Sequence, residues 1–457
     1  MLTPTPAGTI CRLLTQRGIL QESQPERNGK MITENKEIIE RAVLCGVHTG
    51  TVDVLSDTTD ETIAELERLA DTAGAVTVGY MIQNKSQIEK ATYIGEGKIE
   101  ELKSACEELD ANLVIFDDEL SPIQIRNLED RLSIRVIDRS MLILDIFARH
   151  AVTGEGKIQV ELAQLKYLLP RLTGMGSKMS RLGGGVGTRG PGETKLETDR
   201  RHIHRRITHL KEELEEVKKH RELLRNRRKK ENRYMVAIVG YTNAGKSTLL
   251  NYLTGADVLA QDKLFATLDP TIRGLTLSDK REIMLVDTVG FIRKLPHHLV
   301  EAFKSTLEEA VYADLLLIVA DGADTEVDMH LEIVSRLLSD IGAADKPKMV
   351  VFNKSDLIPE DKNLTVLSGG APFVEISAKT GTGIDKLLYQ LEDLVPGKKR
   401  EITLLIPYAK GQVLSEIHDN QTVLEETFEA DGTRVHALLD SVSYSKYRDY
   451  VLEDINE

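Results

Sequence analysis

The chain has 457 residues, of which 41% are hydrophobic and 29% charged, and its formal net charge is -14. This composition excludes disorder along the whole length and leaves room for two to four domains. The three cysteines are scattered, without a C-x-x-C pair, which argues against a disulfide framework or a zinc site. No apolar run approaches the roughly 18 residues of a membrane span, and the N-terminus lacks the apolar core of a signal peptide, so we expect a cytoplasmic protein without stable membrane insertion. An acidic average also disfavours a nucleic-acid partner, provided that the charge is evenly spread.

The first part of the chain divides into an extension and an α/β domain. Residues 1–36 are polar with little periodicity, which predicts a flexible N-terminal extension. From 37 to 153, apolar strand-like runs alternate with amphipathic patterns such as ETIAELERLADTAG and KIEELKSACEEL. This alternation predicts a small parallel α/β domain.

Residues 154–232, which we call the arm, have a different period. Apolar residues step by three, four or seven from Ile158 to Leu172 and again from Leu196 to Leu224, which indicates two helices with heptad-like seams. The segment between them, 173–192, holds eight glycines and a proline, residues that interrupt helices. We therefore expect a protruding antiparallel helical hairpin with a glycine-rich loop at its tip.

The remaining sequence predicts two further domains. Between 233 and 396 a βα alternation resumes, which favours a doubly wound sheet of the Ras-like P-loop type, with strands at YMVAIVG, EIMLVD, DLLLIVAD, KMVVFNK and FVEIS. Residues 397–457 suggest a small α+β domain with strands at ITLLIP, VLEETFEA and TRVHALLD, the helix GQVLSEIHDN and a polar end. The overall fold class is α/β.

The sequence GYTNAGKS fits the P-loop pattern G-x-x-x-x-G-K-[ST] between the apolar strand VAIV and the helical stretch STLLNYL, the context that a P-loop requires. Backbone N–H groups of such a loop surround the β-phosphate at a helix N-terminus. Lys246 would bridge the β- and γ-phosphates, and the Ser247 hydroxyl would coordinate Mg²⁺. The expected nucleotide-binding residues here are Gly240, Tyr241, Thr242, Asn243, Ala244, Gly245, Lys246, Ser247 and Thr248.

Two later motifs predict that the base is guanine rather than adenine. The carboxylate of Asp356, in the Asn353-Lys354-Ser355-Asp356 motif after the strand MVVF, can accept from the two N–H donors of guanine, where adenine would present an acceptor. The motif Ser377-Ala378-Lys379 after the strand FVEI can offer a backbone N–H to the guanine oxygen. Each motif alone is weak, but their order after a P-loop favours GTP and GDP over ATP.

A third motif predicts a switch that responds to the γ-phosphate. Asp287, in the motif D-T-V-G, follows the strand EIMLV and can hold a Mg²⁺-bound water, while the Gly290 N–H can contact the γ-phosphate. The intervening loop LFATLDPT would complete the magnesium shell through Thr267, with Thr271 as the alternative. The predicted magnesium residues are thus Ser247, Thr267 and Asp287, and γ-phosphate would order this loop.

The residue after Gly290 is Phe291, at the position where many small GTPases have the glutamine that orients the attacking water. A phenyl ring cannot do this, so another group supplies the function or hydrolysis is slow until a partner completes the site. Asn243 resembles the asparagine that helps bind K⁺ in several GTPases without that glutamine, and the alternative is that it only stabilises the loop. The residues expected at the reaction are Lys246, Thr267, Gly290 and Phe291.

The arm concentrates positive charge. Residues 150–230 have a net charge of about +10, which leaves about -24 on the remainder. The arm could be an ordinary solvated hairpin, but basic residues on a protruding element of an acidic protein favour RNA binding. Aromatic residues are nearly absent there, so phosphate and shape would be recognised rather than unpaired bases. The predicted RNA-contacting residues are Lys178, Arg181, Gly183, Gly184, Gly185, Gly187, Arg189, Gly190 and Gly192.

The motifs GGGVGTRGPGE, GYTNAGKSTL, LFATLDPT and DTVGF, together with YIGEGKIEEL and DDELSPIQIRNLEDR near the N-terminus, resemble the HflX family of GTPases. The resemblance covers about residues 37–400 and implies a factor that binds the large ribosomal subunit and its rRNA and splits stalled or idle ribosomes. It assigns the loop from Gly183 to Glu193 to the peptidyl-transferase region, and it accounts for Phe291 as the hydrophobic replacement of glutamine in this family. Some members bind ATP through the N-terminal domain, but no P-loop occurs there.

Three functions are compatible with these features. The first is a monomeric, ribosome-associated GTP hydrolase that is slow alone and stimulated by its partner. The second is a GTP-regulated RNA chaperone or remodelling protein that acts outside ribosomes. The third is a membrane-associated signalling adaptor, which the absence of a lipidation motif or an amphipathic anchor makes the least favoured.

Overall fold

The computed structural model describes residues 39–50, 58–172, 191–230, 233–255, 264–265, 270–294, 296, 299, 307–359, 362–397 and 399–454. Within these ranges three sheets form, and they follow one another along the chain. No helix in the described part is long and apolar enough to cross a bilayer. The predicted α/β fold class is confirmed.

The N-terminal domain is a four-stranded parallel sheet of order β2-β1-β3-β4. Its strands are nearly continuous apolar runs because helices cover both faces of the sheet. Thr59 and Ser121 cap two of its helices by accepting a hydrogen bond from the backbone N–H of the third helical residue, which fixes where the helices Asp60–Thr72 and Pro122–Leu132 begin. The elements are β1 (Arg41–His48), α1 (Asp60–Thr72), β2 (Val76–Asn84), α2 (Glu96–Glu108), β3 (Leu113–Phe116), α3 (Pro122–Leu132), β4 (Arg135–Asp138) and α4 (Arg139–His150).

The arm consists of α5 (Gly154–Arg171) and α6 (Pro191–Lys230). The predicted seam packs the two helices together through Leu162, Ile203, Ile207 and Leu210, flanked by leucines at the partly buried positions. α6 begins at Pro191, two residues inside the range predicted for the tip loop, because proline is tolerated in the first helical turn where no N–H partner is needed. Gly192 is therefore helical and not part of the loop. The other residues predicted to contact RNA, from Lys178 to Gly190, lie outside the described residues.

The third unit, the G domain, is a six-stranded sheet of order β10-β9-β8-β5-β7-β6. All neighbouring strands are parallel except β6, which runs antiparallel to β7 at the edge and which the sequence analysis missed. The elements are β5 (Tyr234–Gly240), α7 (Lys246–Thr254), β6 (Thr271–Thr276), β7 (Glu282–Asp287), β8 (Leu315–Asp321), α8 (Val327–Asp340), β9 (Lys348–Asn353), α9 (Leu364–Leu367), β10 (Phe373–Glu375) and α10 (Ile384–Leu394).

The C-terminal domain is an antiparallel sheet of order β12-β13-β11-β14 with helices on one face. The predicted strands and the first helix are present, but the end that was expected to be merely polar forms a second helix and an edge strand. The elements are β11 (Arg400–Ile406), α11 (Gly411–Asn420), β12 (Thr422–Glu429), β13 (Gly432–Leu439), α12 (Ser441–Tyr447) and β14 (Val451–Asp454).

One apolar cluster runs without interruption from the N-terminal domain through the base of the arm into the G domain. Phe147 of α4 meets Phe265 of the loop before β6 edge to face, with ring centroids 4.6 Å apart. Phe291 and Ile292, which follow the D-T-V-G motif, are 1% exposed and belong to the same cluster. The parts of the G domain expected to respond to nucleotide are therefore packed against the N-terminal domain.

Candidate nucleotide-binding site

The P-loop lies between β5 and α7 at the carboxyl edge of the G-domain sheet. Three of its residues have positive φ, at 153° for Gly240, 61° for Asn243 and 91° for Gly245. Gly240 and Gly245 have no room for a side chain, because a Cβ would collide with the Val319 carbonyl and with the Asn353 amide respectively. The two glycines are thus needed for conformation and for close packing at once.

Lys246 is buried at the start of α7 and donates a 2.8 Å hydrogen bond to the Tyr241 carbonyl across the loop. Burial lowers the pKa of its ammonium group to about 8, and the nearby Asp287 charge opposes that shift. An incoming phosphate would add negative charge and restore the ammonium form. The side chain is therefore held in the loop that would surround a phosphate.

Two of the three predicted magnesium residues, Ser247 and Asp287, lie in the described part of the chain. The Ser247 hydroxyl donates a 2.7 Å hydrogen bond to the carboxylate of Asp287, which is fully buried at the end of β7. A hydroxyl and a carboxylate this close are hard oxygen donors of the kind that Mg²⁺ prefers, so this pair fits the ion. Thr267 lies outside the described residues, and its alternative Thr271 is the first residue of β6, opposite Asp287 in the strand register.

The base-recognition motifs lie together at the ends of β9 and β10. Asn353 donates 2.9 Å to the Ala244 carbonyl of the P-loop and accepts 2.9 Å from the Ala378 N–H, so it ties both loops to one strand end. A hydrogen bond from Ser377 lowers the pKa of the exposed Asp356 carboxylate, which keeps it ionised. A charged acceptor in solvent reach is what the guanine N–H edge requires.

Lys354 and Lys379 complete this edge in different ways. Lys354 has φ of 61° and forms a 2.6 Å ion pair with Asp321 at the end of β8. That ion pair was not foreseen, although Asp321 follows an apolar strand just as Asp287 does. Lys379 is exposed beside Ala378, and its charge contributes to the lowered pKa of Asp356.

Gly290 and Phe291 lie against the P-loop rather than apart from it. The Phe291 N–H donates 3.0 Å to the Gly240 carbonyl, and the Phe291 carbonyl accepts 2.8 Å from the Thr242 N–H. A Cβ on Gly290 would lie 2.8 Å from the backbone Cα of Thr242 and 2.9 Å from the Lys246 Nζ, so only glycine fits there. The phenyl ring of Phe291 is buried in the interdomain cluster, and its contribution to this site is through the backbone.

Sequence reasoning missed the role of the Tyr241 side chain. Its hydroxyl hydrogen-bonds to the Glu65 carboxylate of the N-terminal domain and accepts 2.9 Å from the Arg293 N–H, while its ring stacks on His330 at 3.9 Å. Burial, and next the Glu65 charge, raise the pKa of this hydroxyl well above its usual value, so it stays a donor. No sequence pattern marks a contact between residues 176 positions apart.

Three family profiles match most of the chain. Residues 60–148 match the profile described as "GTP-binding GTPase N-terminal", 150–228 match "GTP-binding GTPase Middle Region", and 235–354 match "50S ribosome-binding GTPase". A GTP-binding protein from the hyperthermophilic archaeon Sulfolobus solfataricus, solved in complex with GDP, is 28% identical and superposes with a TM-score of 0.44, covering 78% of this chain and 98% of that one.

Curated relatives extend the match over most of the chain. A GTPase HflX from Caldanaerobacter subterraneus subsp. tengcongensis is 52% identical over 413 residues, which is 90% of this chain and 94% of that protein. The GTPase HflX of Escherichia coli is 44% identical over 375 residues, 82% of this chain and 88% of that protein. With this identity over most of both chains, and with a P-loop and guanine-recognition motifs in place, the protein belongs to the HflX family of GTPases and is a GTP hydrolase.

Proposed function

We propose that the protein binds the large ribosomal subunit in its GTP form through the arm, and that this binding dissociates or rescues stalled or idle ribosomes in the cytoplasm. The observation that carries the proposal is the match of residues 235–354 to a profile described as "50S ribosome-binding GTPase", in a chain that also presents a basic helical hairpin. The protein acts as a monomer that contacts rRNA through phosphates and shape.

The nucleotide site would work with Mg²⁺ held by Ser247 and Asp287, and by Thr267 when GTP orders its loop. The ion would supply charge neutralisation between the β- and γ-phosphates. Lys246 binds the same phosphates, the Gly290 N–H contacts the γ-phosphate, and Asp356 selects guanine. Since the Phe291 ring is buried away from the site, hydrolysis is slow until the ribosome, or a K⁺ ion near Asn243, completes it.

A contact between the base of the arm and the G domain supports a response of the arm to the nucleotide. Arg221 of α6 forms a 2.5 Å ion pair with Glu155 of α5 and lies 3.8 Å from Glu308, in the helical residues 307–312 of the G domain. A second pair, Arg206 with Glu161, joins the two arm helices through both carboxylate oxygens at 2.9 and 2.8 Å. The base of the arm thus contacts the G domain directly, which supports GTP-dependent presentation of the tip.

Co-sedimentation with purified large subunits tests the proposal. The full-length protein should bind in a non-hydrolysable GTP analogue and release in GDP, and it should dissociate whole ribosomes as followed by light scattering. Replacing residues 173–190 with a short Gly-Ser linker should abolish subunit binding while leaving nucleotide affinity unchanged. Lys386→Met, at an exposed position of α10, is the matched control.

Three results would contradict parts of this proposal. No co-sedimentation in either nucleotide would remove ribosome binding. Undiminished binding of the loop replacement would remove only the role given to the tip. Equal binding to protein-free structured RNA and to subunits, without dissociation of ribosomes, would favour the second candidate, a GTP-regulated RNA chaperone.

A further inference from the structure

The N-terminal domain has a crevice of the kind that binds ligands in open α/β folds. β1 and β3 are neighbours in its sheet, but the chain after β1 leads to α1 on one face and the chain after β3 leads to α3 on the other. Such a reversal opens a crevice at the carboxyl ends of the strands. Asp117 and Asp118 directly follow β3, and Thr58 ends the connection from β1, so all three line this place.

A lysine from the G domain occupies the crevice. The Lys294 Nζ donates to Asp117 at 2.6 Å, to Asp118 at 2.8 Å and to the Thr58 hydroxyl at 3.0 Å. The Lys294 side chain is 7% exposed and that of Asp117 is fully buried. Three oxygens therefore surround the three donors of one ammonium group, which is a complete set of partners for lysine.

The crevice carries more negative than positive charge without that lysine. Arg139 pairs with Asp117 at 2.8 Å and with Glu65 at 2.5 Å, and all three of these residues are nearly inaccessible. Burial would raise the pKa of Asp117, but Arg139 and Lys294 together hold it below its usual value. If Lys294 left, two carboxylates would share one guanidinium with Asp118 beside them, and uncompensated buried charge is strongly destabilising.

Lys294 lies four residues after Gly290, whose N–H is expected to contact the γ-phosphate. Between Gly290 and Lys294 the chain is fixed to the P-loop at Phe291, by the two backbone hydrogen bonds described above, and at Arg293, whose N–H donates to Tyr241. Tyr241 in turn is bonded to Glu65. These contacts connect the crevice, the P-loop and the D-T-V-G segment to one another, and Gly290 lies so close to Thr242 and Lys246 of the P-loop that no Cβ would fit between them.

We propose that Lys294, docked in the N-terminal crevice, is a positioning residue that holds Gly290 ready for the γ-phosphate and so sets the preference for GTP over GDP. GDP has no group that meets Gly290, so the docking stabilises the GTP complex selectively. Coupling is reciprocal, and bound γ-phosphate strengthens docking of the N-terminal domain by the same factor. The proposal rests on the contact between Gly290 and the γ-phosphate given under the proposed function, but it does not depend on ribosome binding.

Nucleotide affinities of full-length variants test this role. Dissociation constants for a fluorescent GDP and a fluorescent non-hydrolysable GTP analogue give a preference ratio for each protein. Lys294→Met should lower the preference for the GTP analogue about tenfold, through weaker analogue binding with GDP affinity unchanged. Asp118→Asn, which removes a partly exposed partner of the lysine, should lower it about threefold.

Further variants separate positioning from stability. Lys294→Met combined with Asp118→Asn should lower the ratio no further than Lys294→Met alone, because both act through one contact. Lys294→Arg, which keeps the charge, should restore most of the preference, and Lys386→Met should leave it unchanged. Should Lys294→Met fail to fold, Asp118→Asn and Lys294→Arg still give the ratio.

A merely structural lysine gives a different pattern. The variants would then lose thermal stability while their preference ratio stayed within twofold of the starting protein, or GDP and analogue would weaken together. Either result overturns the proposal.

Discussion

The hydroxyl of Ser247 donates a 2.7 Å hydrogen bond to the fully buried carboxylate of Asp287. The two residues come from the start of α7 and the end of β7, 40 positions apart, and the parallel pairing of β5 with β7 brings them together. A hydroxyl polarised by this carboxylate is a better ligand for a hard cation. The pair therefore gives a direct test of magnesium dependence.

Ser247→Ala should remove most of the effect of Mg²⁺ on GTP binding. We expect the gain in GTP affinity from millimolar Mg²⁺ to fall about tenfold or more, because losing a metal ligand, or a group that orients one, weakens metal sites by that order. Affinity in the presence of a chelator should change little. Fluorescent-nucleotide titrations with and without Mg²⁺ measure both, and an unchanged response to Mg²⁺ would remove Ser247 from the metal site.

Asp356→Asn should change the base that the site prefers from guanine to xanthine. The carboxylate accepts from two N–H groups of guanine, and hydrogen bonds to a charged group contribute about 1.5–3 kcal/mol each, so GTP affinity should fall at least about 100-fold. Xanthosine triphosphate, which offers an oxygen in place of one N–H₂, should then bind better than GTP. Thermal unfolding should be nearly unchanged because the side chain is exposed. Undiminished GTP affinity would contradict the role of Asp356 in base recognition.

The parts of the fold that sequence revealed are those with a strong repeating signal. Buried parallel strands such as β5 and β8 are unbroken apolar runs, and the P-loop requires glycines at fixed spacing. The missed strands β6 and β14 are short edge strands with polar residues, and β6 contains a glycine, so neither has a clear alternation. Their pairing is set by the neighbouring strand rather than by their own sequence.

The parts of the site that sequence missed depend on contacts between distant segments. Lys294 and Asp117 are 177 positions apart, and both belong to residue types that are exposed by default. Only the position of Asp117 after an apolar strand was a signal, of the same kind that identified Asp287. Burial of such a pair follows from how two domains dock, which no local pattern encodes.

Affinity for GTP should fall as the pH rises above about 8. The pKa of Lys246 in the free protein is lowered to about 8 by burial, so above that pH the amine is largely neutral and must take up a proton to bind phosphate. At pH 9 we expect about a tenfold loss relative to pH 7.5, with proton uptake on binding. In the unfolded chain this lysine keeps its ordinary pKa, so the unfolded state binds more protons than the folded state in this pH range. The contribution of Lys246 to the free energy of unfolding therefore rises with pH, while the affinity for GTP falls.

Calorimetric titrations in two buffers of different ionisation enthalpy measure that proton uptake. The triphosphate of GTP is fully ionised in this range, but the guanine N1–H begins to ionise at its upper end, so free GTP is titrated in the same buffers and its proton release is subtracted. Flat affinity from pH 7.5 to 9.5 with no proton exchange would show that Lys246 is charged throughout.

Asp138 should anchor the arm to the N-terminal domain. Its fully buried carboxylate accepts from the N–H groups of Leu120 and Met141, from the Tyr167 hydroxyl at 2.6 Å and from Arg171 at 3.1 Å, the last two being on α5. Asp138→Ala leaves these donors without their acceptor and should cost about 3–5 kcal/mol of stability. Thermal unfolding measures this, with Asp130→Ala at an exposed position of α3 as control, and a change in melting temperature under ~2 °C would contradict it.

Hydrolysis should be faster in potassium than in sodium salts if Asn243 helps bind K⁺. Asn243 has φ of 61° in the P-loop, a conformation that asparagine adopts more readily than most residues, so its identity alone also fits a purely conformational role.

The two roles of Asn243 can be separated by substitution, because Asn243→Gly keeps the backbone conformation and removes the amide oxygen. We expect that variant to lose the difference between K⁺ and Na⁺ while binding GDP as before. Single-turnover rates at matched ionic strength, for the protein alone and with large ribosomal subunits, measure the difference. Equal rates in both salts for the unsubstituted protein, in both settings, would leave Asn243 as a conformational residue only.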